Sequence, residues 1–291
     1  MIYLKHFIKF KVTILSKHYN IMKNIIAGVI ILLFLSLNFV NAQEKEYRKV
    51  SHNAFGLGER LEFEISYGFL TAGYVVFEIA PNFTVMNGRN CYEITATLNS
   101  ASSFEWVYKL QDKYKCYLDA EGLFPWKFEQ YIREGDYTKD FTVIFDNENN
   151  KAKTTNITKG KKEPDGEFDI KPYSLDIISA FYFARTMNVQ NMNNGEIITL
   201  NSFYDDKNYD LKVKILDKED VDVPAGDFRC VIVQPVAEEG ALIKKAENIA
   251  VWISRDDRKI PVMVKLDIIV GSVKAELISY KNLSGPLDSK K

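Results

Sequence analysis

Leu61-Glu62-Phe63-Glu64-Ile65-Ser66-Tyr67 decides the fold. The apolar side chains at 61, 63, 65 and 67 point one way and Glu62, Glu64 and Ser66 the other, the period of two that belongs to a strand with one buried face. Gly68 to Gly73 then turns the chain, and Val75, Phe77 and Ile79 line the next strand. Tyr92, Ile94, Ala96 and Leu98 repeat the pattern against Glu93, Thr95 and Thr97. Further strand-like segments fall near 106–118, 125–133, 138–146 and 150–158, separated by Asp119-Ala-Glu-Gly122, Glu134-Gly-Asp136 and Asp146-Asn-Glu-Asn-Asn150. Turns this short imply hairpins of an antiparallel meander.

The second half repeats the plan near 196–204, 208–217, 228–236, 247–254, 260–270 and 272–281. Val262, Val264, Leu266, Ile268 and Val270 alternate strictly before Gly271-Ser272 turns into Val273, Ala275 and Leu277. Pro224-Ala-Gly-Asp227 reads as a turn, with proline presetting φ and glycine permitting φ > 0. Ser254-Arg-Asp-Asp-Arg258 reads as a polar hairpin tip between Trp252 and Ile260.

One segment breaks the alternation. From Ser174 to Met187 apolar residues fall at 177, 178, 181 and 184, the spacing of a helix with one buried face. Ser174 is the expected N-cap, with Asp176 in the first turn and Arg185 in the last. The expected fold is therefore mainly β: roughly thirteen strands in a large curved antiparallel sheet, with one packed amphipathic helix at 174–187. Half-barrel, barrel and two-layer forms all remain open, because each removes the exposed edges of so large a sheet.

The first 42 residues read as a leader. Met22-Lys23-Asn24 is a short basic region, Ile25 to Leu37 an apolar run, and Val40-Asn41-Ala42 places small residues before a cut between Ala42 and Gln43. The run is short for a membrane span, the alternative being an uncleaved anchor. Met1 or Met22 can serve as the start. The expected organisation is leader 1–42, polar lead-in 43–54, one β domain over 55–282 and a flexible tail over 283–291, with no transmembrane segment after processing. The expected location is the periplasm, with the outer surface or the medium as alternatives.

Loss of the leader removes five lysines (Lys5, Lys9, Lys11, Lys17 and Lys23) and no acid, leaving 33 basic and 39 acidic residues, a net charge near −6. Basic residues are scattered, so nucleic acid is excluded as a partner class. Histidine is nearly absent: His6 and His18 leave with the leader and His52 remains, in a polar segment expected to be solvated. A histidine-based nucleophilic site would have to rest on that residue alone. No Cys-x-x-Cys pair, Gly-x-Ser-x-Gly elbow or phosphate-binding loop is present, and Gly56-Leu-Gly58 precedes a strand instead of following one. Asp205-Asp206 and the acidic run Asp217 to Asp222 lack the glycine-punctuated loop of a calcium site. Asp256-Asp257 reads as an ordinary charged tip, adjacent residues of an extended chain pointing apart. No catalytic residue, metal ligand or cofactor is therefore assigned. Cys91, Cys116 and Cys230 read as buried thiols, with Cys91–Cys116 as the alternative disulfide.

Aromatic residues are the positive signal. Tyr67, Phe69, Tyr74, Trp106, Trp126 and Trp252 are the candidate ligand-binding residues, facing an apolar groove inside the curved sheet that the helix closes. A two-layer core with ordinary surface tyrosines is the plainer explanation. The partner expected from the groove is a lipid or another envelope protein. Structural assembly through edge strands and carboxylate-based glycan chemistry are the alternatives.

Gly58-Glu-Arg-Leu-Glu-Phe-Glu-Ile-Ser-Tyr67 with Thr71-Ala-Gly73 resembles the opening of the domain of unknown function 3108 family (DUF3108). Asp119 to Pro125, Asp176 to Arg185, Pro224 to Cys230 and Val251 to Pro261 follow in the same order, leading to Val270-Gly-Ser272. The resemblance covers about residues 55–282. It implies export from diderm bacteria and carries over no functional residue. The Trp252 hairpin is also similar to that of the curved half-barrel of periplasmic lipoprotein carriers, a likeness of fold alone.

Overall fold

The alternation of the sequence becomes sixteen strands of one antiparallel sheet among the described residues. The structure, a computed structural model, describes residues 46–106, 108–236 and 248–291; the leader and the Ala42–Gln43 cut lie outside them. The first half holds β1 (Arg60–Tyr67), β2 (Leu70–Ile79), β3 (Thr84–Met86), β4 (Arg89–Ser100), β5 (Gln111–Asp119), β6 (Pro125–Glu134), β7 (Tyr137–Asp146), β8 (Lys151–Thr158), β9 (Lys161–Lys162) and β10 (Gly166–Asp169). Helix α1 (Ile177–Ala184) follows. The second half holds β11 (Ile197–Tyr204), β12 (Lys207–Val223), β13 (Gly226–Pro235), β14 (Ile249–Ser254), β15 (Pro261–Asp267) and β16 (Ser272–Lys281).

The sheet runs β10-β8-β7-β6-β5-β4-β2-β1-β16-β15-β14-β13-β12-β11, with β3 on β4 and β9 on β8 off this path. Its two halves join where β1 pairs with β16, Glu64 opposite Glu276 and Tyr67 opposite Val273. Register shifts at Glu62/Phe63, Ile65/Ser66, Tyr117/Leu118, Ile215/Asp217 and Trp252/Ile253 mark bulges, which bend strands and add twist. Gly73 lets β2 approach β4 closely, since a Cβ there would meet the Asn99 carbonyl oxygen at 2.5 Å.

The sheet curls without closing. Its terminal strands β10 and β11 do not pair with each other, but the segment between them bridges the gap. Leu175 accepts from the Phe203 N–H at 2.9 Å and donates to the Asn201 carbonyl at 2.9 Å. Asn208 Nδ2 donates to the Asp169 carbonyl at 2.8 Å, and Lys171 pairs with Asp210 at 2.6 Å. Phe203 then packs its ring against Phe145 and Phe168, carrying the core across the seam. Of the forms left open by the sequence, the molecule takes the curved, unclosed one.

Several local expectations are corrected. Helix α1 is shorter than 174–187: Asp176, not Ser174, is its N-cap, accepting from the Ile178 and Ser179 N–H groups. Ser174 instead donates its hydroxyl to the Lys171 carbonyl at 2.9 Å. The helix stops at Ala184 because Thr186 turns both its N–H and its hydroxyl onto the Phe183 carbonyl. Strand β15 ends at Asp267, and Gly271 at φ 82° places Ile268 and Val270 in an exposed tip despite their alternation. The acidic run Asp217 to Asp222 is the second half of β12, paired with β13. His52 is half-buried, its ring 4.3 Å from Phe55, because the lead-in packs Val50, Ala54 and Phe55 into the core. The tail is docked instead of flexible: Arg229 N–H donates to the Ser289 carbonyl and Lys291 N–H to that of Asp227. The thiols keep the reading first given to them: Cys91, Cys116 and Cys230 are free and buried.

Candidate functional site

Helix α1 lies against the concave face of the curl, which explains why its apolar residues divide between two clusters. Ile178 and Tyr182 pack with Phe55, Ile79, Ile94, Cys116 and Phe128, whereas Ala180 packs with Val189, Ile198, Leu200, Ile215 and Val231. An eight-residue helix has little stability of its own, so this burial holds it.

The charged groups at each end of the helix are buried and hydrogen-bonded. At the N-terminus Asp176 is fully buried; beyond its two backbone donors it accepts from the Ser179 hydroxyl at 2.8 Å and the Cys116 thiol at 3.2 Å. Burial raises its carboxyl above the ordinary range, and those hydrogen bonds act against that rise. At the C-terminus Arg185 and Glu59 are 2% and 0% exposed and form a bidentate pair at 2.6 and 2.9 Å. The same guanidinium donates to the Ala54 and Arg258 carbonyls. Arg185 thus ties the lead-in, the start of β1, the helix and the β14–β15 connection. Burial acts to lower its pKa, and Glu59 outweighs burial and leaves it raised.

Two apolar cavities flank the helix, sharing Ile177 and Phe181. One, of about 310 Å³, lies between the helix and β2, β4 and β5, lined by Val75, Phe77, Ala96, Leu98 and Tyr114, with Tyr204 from β11. The other, of about 300 Å³, lies between the helix and β11 to β15, lined by Ile198, Leu200, Leu211, Val213, Val233 and Val251 among others, with Arg185 and Lys259 as its charged members. Phe181 stacks on Phe77 at 5.1 Å and separates the two.

The six aromatic candidates are not brought together. Tyr67 and Phe69 meet at the β1–β2 tip, lining a surface recess of about 580 Å³ with Leu70 and Val270. Tyr74 is exposed on β2, and Trp106 is 84% exposed in the β4–β5 connection. Trp126 is buried beside Phe124 and Cys91, donating to Asp119 at 3.1 Å. Trp252 is buried in the β13–β16 core, its indole N–H on Glu219. None of the six lines either cavity beside the helix. The lining residues that selection by aromatic type missed were visible in the alternation, since Val75, Phe77, Ala96 and Leu98 occupy the apolar phase of β2 and β4. Leu61 and Phe63 are buried in the same way, whereas Tyr67 emerges at the strand end.

Acidic candidates resolve as scaffold. Asp256 is buried, accepting from the Ser254 hydroxyl and the N–H groups of Arg258 and Lys259, and it holds Ser289 of the tail. Asp257 points away to Asn53. No group of three or more His, Cys, Asp or Glu residues is arranged to hold a metal among the described residues. Among them, too, no helix is long and apolar enough to cross a membrane.

A family model described as "Protein of unknown function (DUF3108)" matches residues 62–278, from β1 into β16. The chain belongs to the DUF3108 family. The DUF3108 match therefore takes in both cavities, helix α1 and the Lys259 turn. Among solved structures, this DUF3108 protein is similar to a β-barrel-like protein of domain of unknown function DUF1849 from Brucella abortus, at 9% identity and TM-score 0.47, covering 77% of this chain and 97% of that one. It is also similar to a candidate exported protein with a YmcC-like fold from Bacteroides fragilis, at 12% identity and TM-score 0.34, over 81% and 100% of the two chains. A candidate lipoprotein from Parabacteroides distasonis matches at 9% identity and TM-score 0.34, over the same shares. No curated protein matches the chain.

Proposed function

We propose that the protein is an exported, non-enzymatic envelope scaffold that holds a lipophilic, acyl-chain ligand against helix α1. The observation that carries this reading is the pair of apolar cavities of about 310 and 300 Å³ on the two sides of the helix. Their linings contain no carboxylate, which favours ligand holding over glycan hydrolysis by paired acids. The test is native mass spectrometry of the protein from an envelope fraction, with solvent extraction of bound material. A co-purifying acyl species is the expected result; apo protein that also fails to bind any added acyl compound refutes the reading.

A second reading is favoured by one other observation. Exposed apolar side chains cluster on neighbouring hairpin ends at one rim: Phe69 and Leu70 at β1–β2, Ile269 and Val270 at β15–β16, and Trp106 in the β4–β5 connection. Such a rim supports assembly with another envelope protein. Sedimentation that stays monomeric across concentration, with no partner recovered by cross-linking at Phe69 or Ile269, sinks it.

A further inference from the structure

The second cavity is lined by a lysine whose side chain has no partner among the described residues. Lys259 is 7% exposed and lines this cavity, and its ammonium makes no hydrogen bond or ion pair among the described residues. Its backbone is fixed: the N–H donates to Asp256 at 3.1 Å, and φ is 43°, a left-handed conformation that costs a non-glycine residue about 1 kcal/mol. The Ile260 N–H donates to the Ser254 hydroxyl and its carbonyl accepts from the Ser254 N–H, closing the turn on both sides of Lys259. The neighbouring carboxylates are engaged elsewhere. Asp256 accepts from Ser254, Arg258, Lys259 N–H and Ser289, while Asp257 takes Asn53 and Arg258. Glu59 is committed to Arg185.

An ammonium set in an apolar wall with no counter-ion among the described residues is partly desolvated, and an anion beside it offsets that cost. Burial lowers the Lys259 pKa, with Arg258 and Arg185 acting in the same direction and Asp257 and Asp256 against it. From Lys259 and Pro261 the lining continues along β14 through Ile253 and Val251 to Ile249, four residue steps of strand, or about 13 Å. The wall is apolar over that length. One end is cationic and the remainder takes hydrocarbon.

We infer that this cavity binds an acyl-chain amphiphile with its anionic head at Lys259 and its chain along β14 towards Ile249. The inference rests on the acyl-chain reading above and adds the head-group chemistry and its orientation.

The test compares dodecanoate, 1-dodecanol and dodecylammonium by calorimetric titration of the full chain, below micelle-forming concentrations. Dodecanoate is expected to bind roughly tenfold tighter than dodecanol, as a charge-assisted hydrogen bond in a partly desolvated site predicts, with dodecylammonium weakest. In Lys259→Met the dodecanoate-to-dodecanol ratio falls to about one, and in Lys259→Arg it is kept. Equal binding of dodecanoate and dodecanol to the unaltered protein overturns the inference and leaves the acyl-chain reading standing. So does a ratio that Lys259→Met does not change. Failure of all three ligands overturns both. The wild-type comparison decides the matter even where Lys259→Met does not fold.

Discussion

Replacing Glu59 by alanine leaves Arg185 charged, 2% exposed and without its counter-ion. The guanidinium makes five donor contacts: two to Glu59 at 2.6 and 2.9 Å, one to the Ala54 carbonyl at 2.9 Å and two to the Arg258 carbonyl at 3.1 and 3.2 Å. The carbonyls remain in the variant, so it retains part of its hydrogen bonding and loses all charge compensation. Breaking a buried pair from one side costs about 3–5 kcal/mol. With a urea m-value on the order of 2–3 kcal/mol/M for a chain of this size, that is a fall of about 1–2 M in the midpoint. Glu59→Met/Arg185→Met removes both charges, and is expected to cost clearly less than the sum of the two single variants, because neither partner is left buried alone. The assay is urea unfolding followed by tryptophan fluorescence, as Trp126 and Trp252 are both buried. A loss under about 1 kcal/mol for Glu59→Ala, or strict additivity in the cycle, would refute the argument that this pair holds the helix end.

Three other outcomes follow from buried polar groups. Asp176→Ala is expected to lose about 2–4 kcal/mol, combining a lost N-cap with unpaired N–H groups at Ile178 and Ser179, while Asp176→Asn keeps the acceptor and loses less; equal losses in urea melts would contradict the capping role. Burial pushes the Cys91 and Cys230 thiols up to about 12, so a thiol reagent at pH 8 should label no cysteine of the native protein and all three in urea; rapid native labelling would show that these sites open. Burial acts to raise the Asp119 carboxyl, but Arg89, the Gly122 N–H and Trp126 prevail and leave it below its ordinary value. A depressed folded pKa contributes stability above the unfolded carboxylate range near 3.9, and that contribution is lost as pH falls through the folded value. Asp119→Asn should therefore cost most at neutral pH and progressively less below about pH 4; a cost independent of pH would remove Asp119 from the acid response.

The strands were legible because a curled sheet with one buried face imposes alternation that few other structures share, and Leu61 and Phe63 of β1 and Ile94 and Ala96 of β4 are buried in that phase. What alternation does not carry is where a strand stops. Ile268 and Val270 continue the phase of β15 beyond its last paired residue, since periodicity is a property of side chains and pairing ends where Gly271 turns the backbone. Nor does alternation rank the residues of one face, so choosing ligand contacts by aromatic size selected Trp126 and Trp252, which fill the core, over Val75 and Leu98, which line a cavity.

The residues that define the site were the hardest to place, for a physical reason. Asp176, Arg185, Glu59, Asp256 and Lys259 are charged, and a charged residue in sequence is by default a surface residue. Each is buried here. A helix enclosed by a sheet has backbone donors and acceptors at both ends that water does not reach, and something polar must accompany them inside. Asp176 meets that need at one end of α1, and Arg185 with Glu59 anchors the other. Asp256 does the same for the turn after β14 by accepting from two consecutive N–H groups. Lys259 alone in this set has a side chain with no partner among the described residues, and the proposal of an anionic head group rests on that.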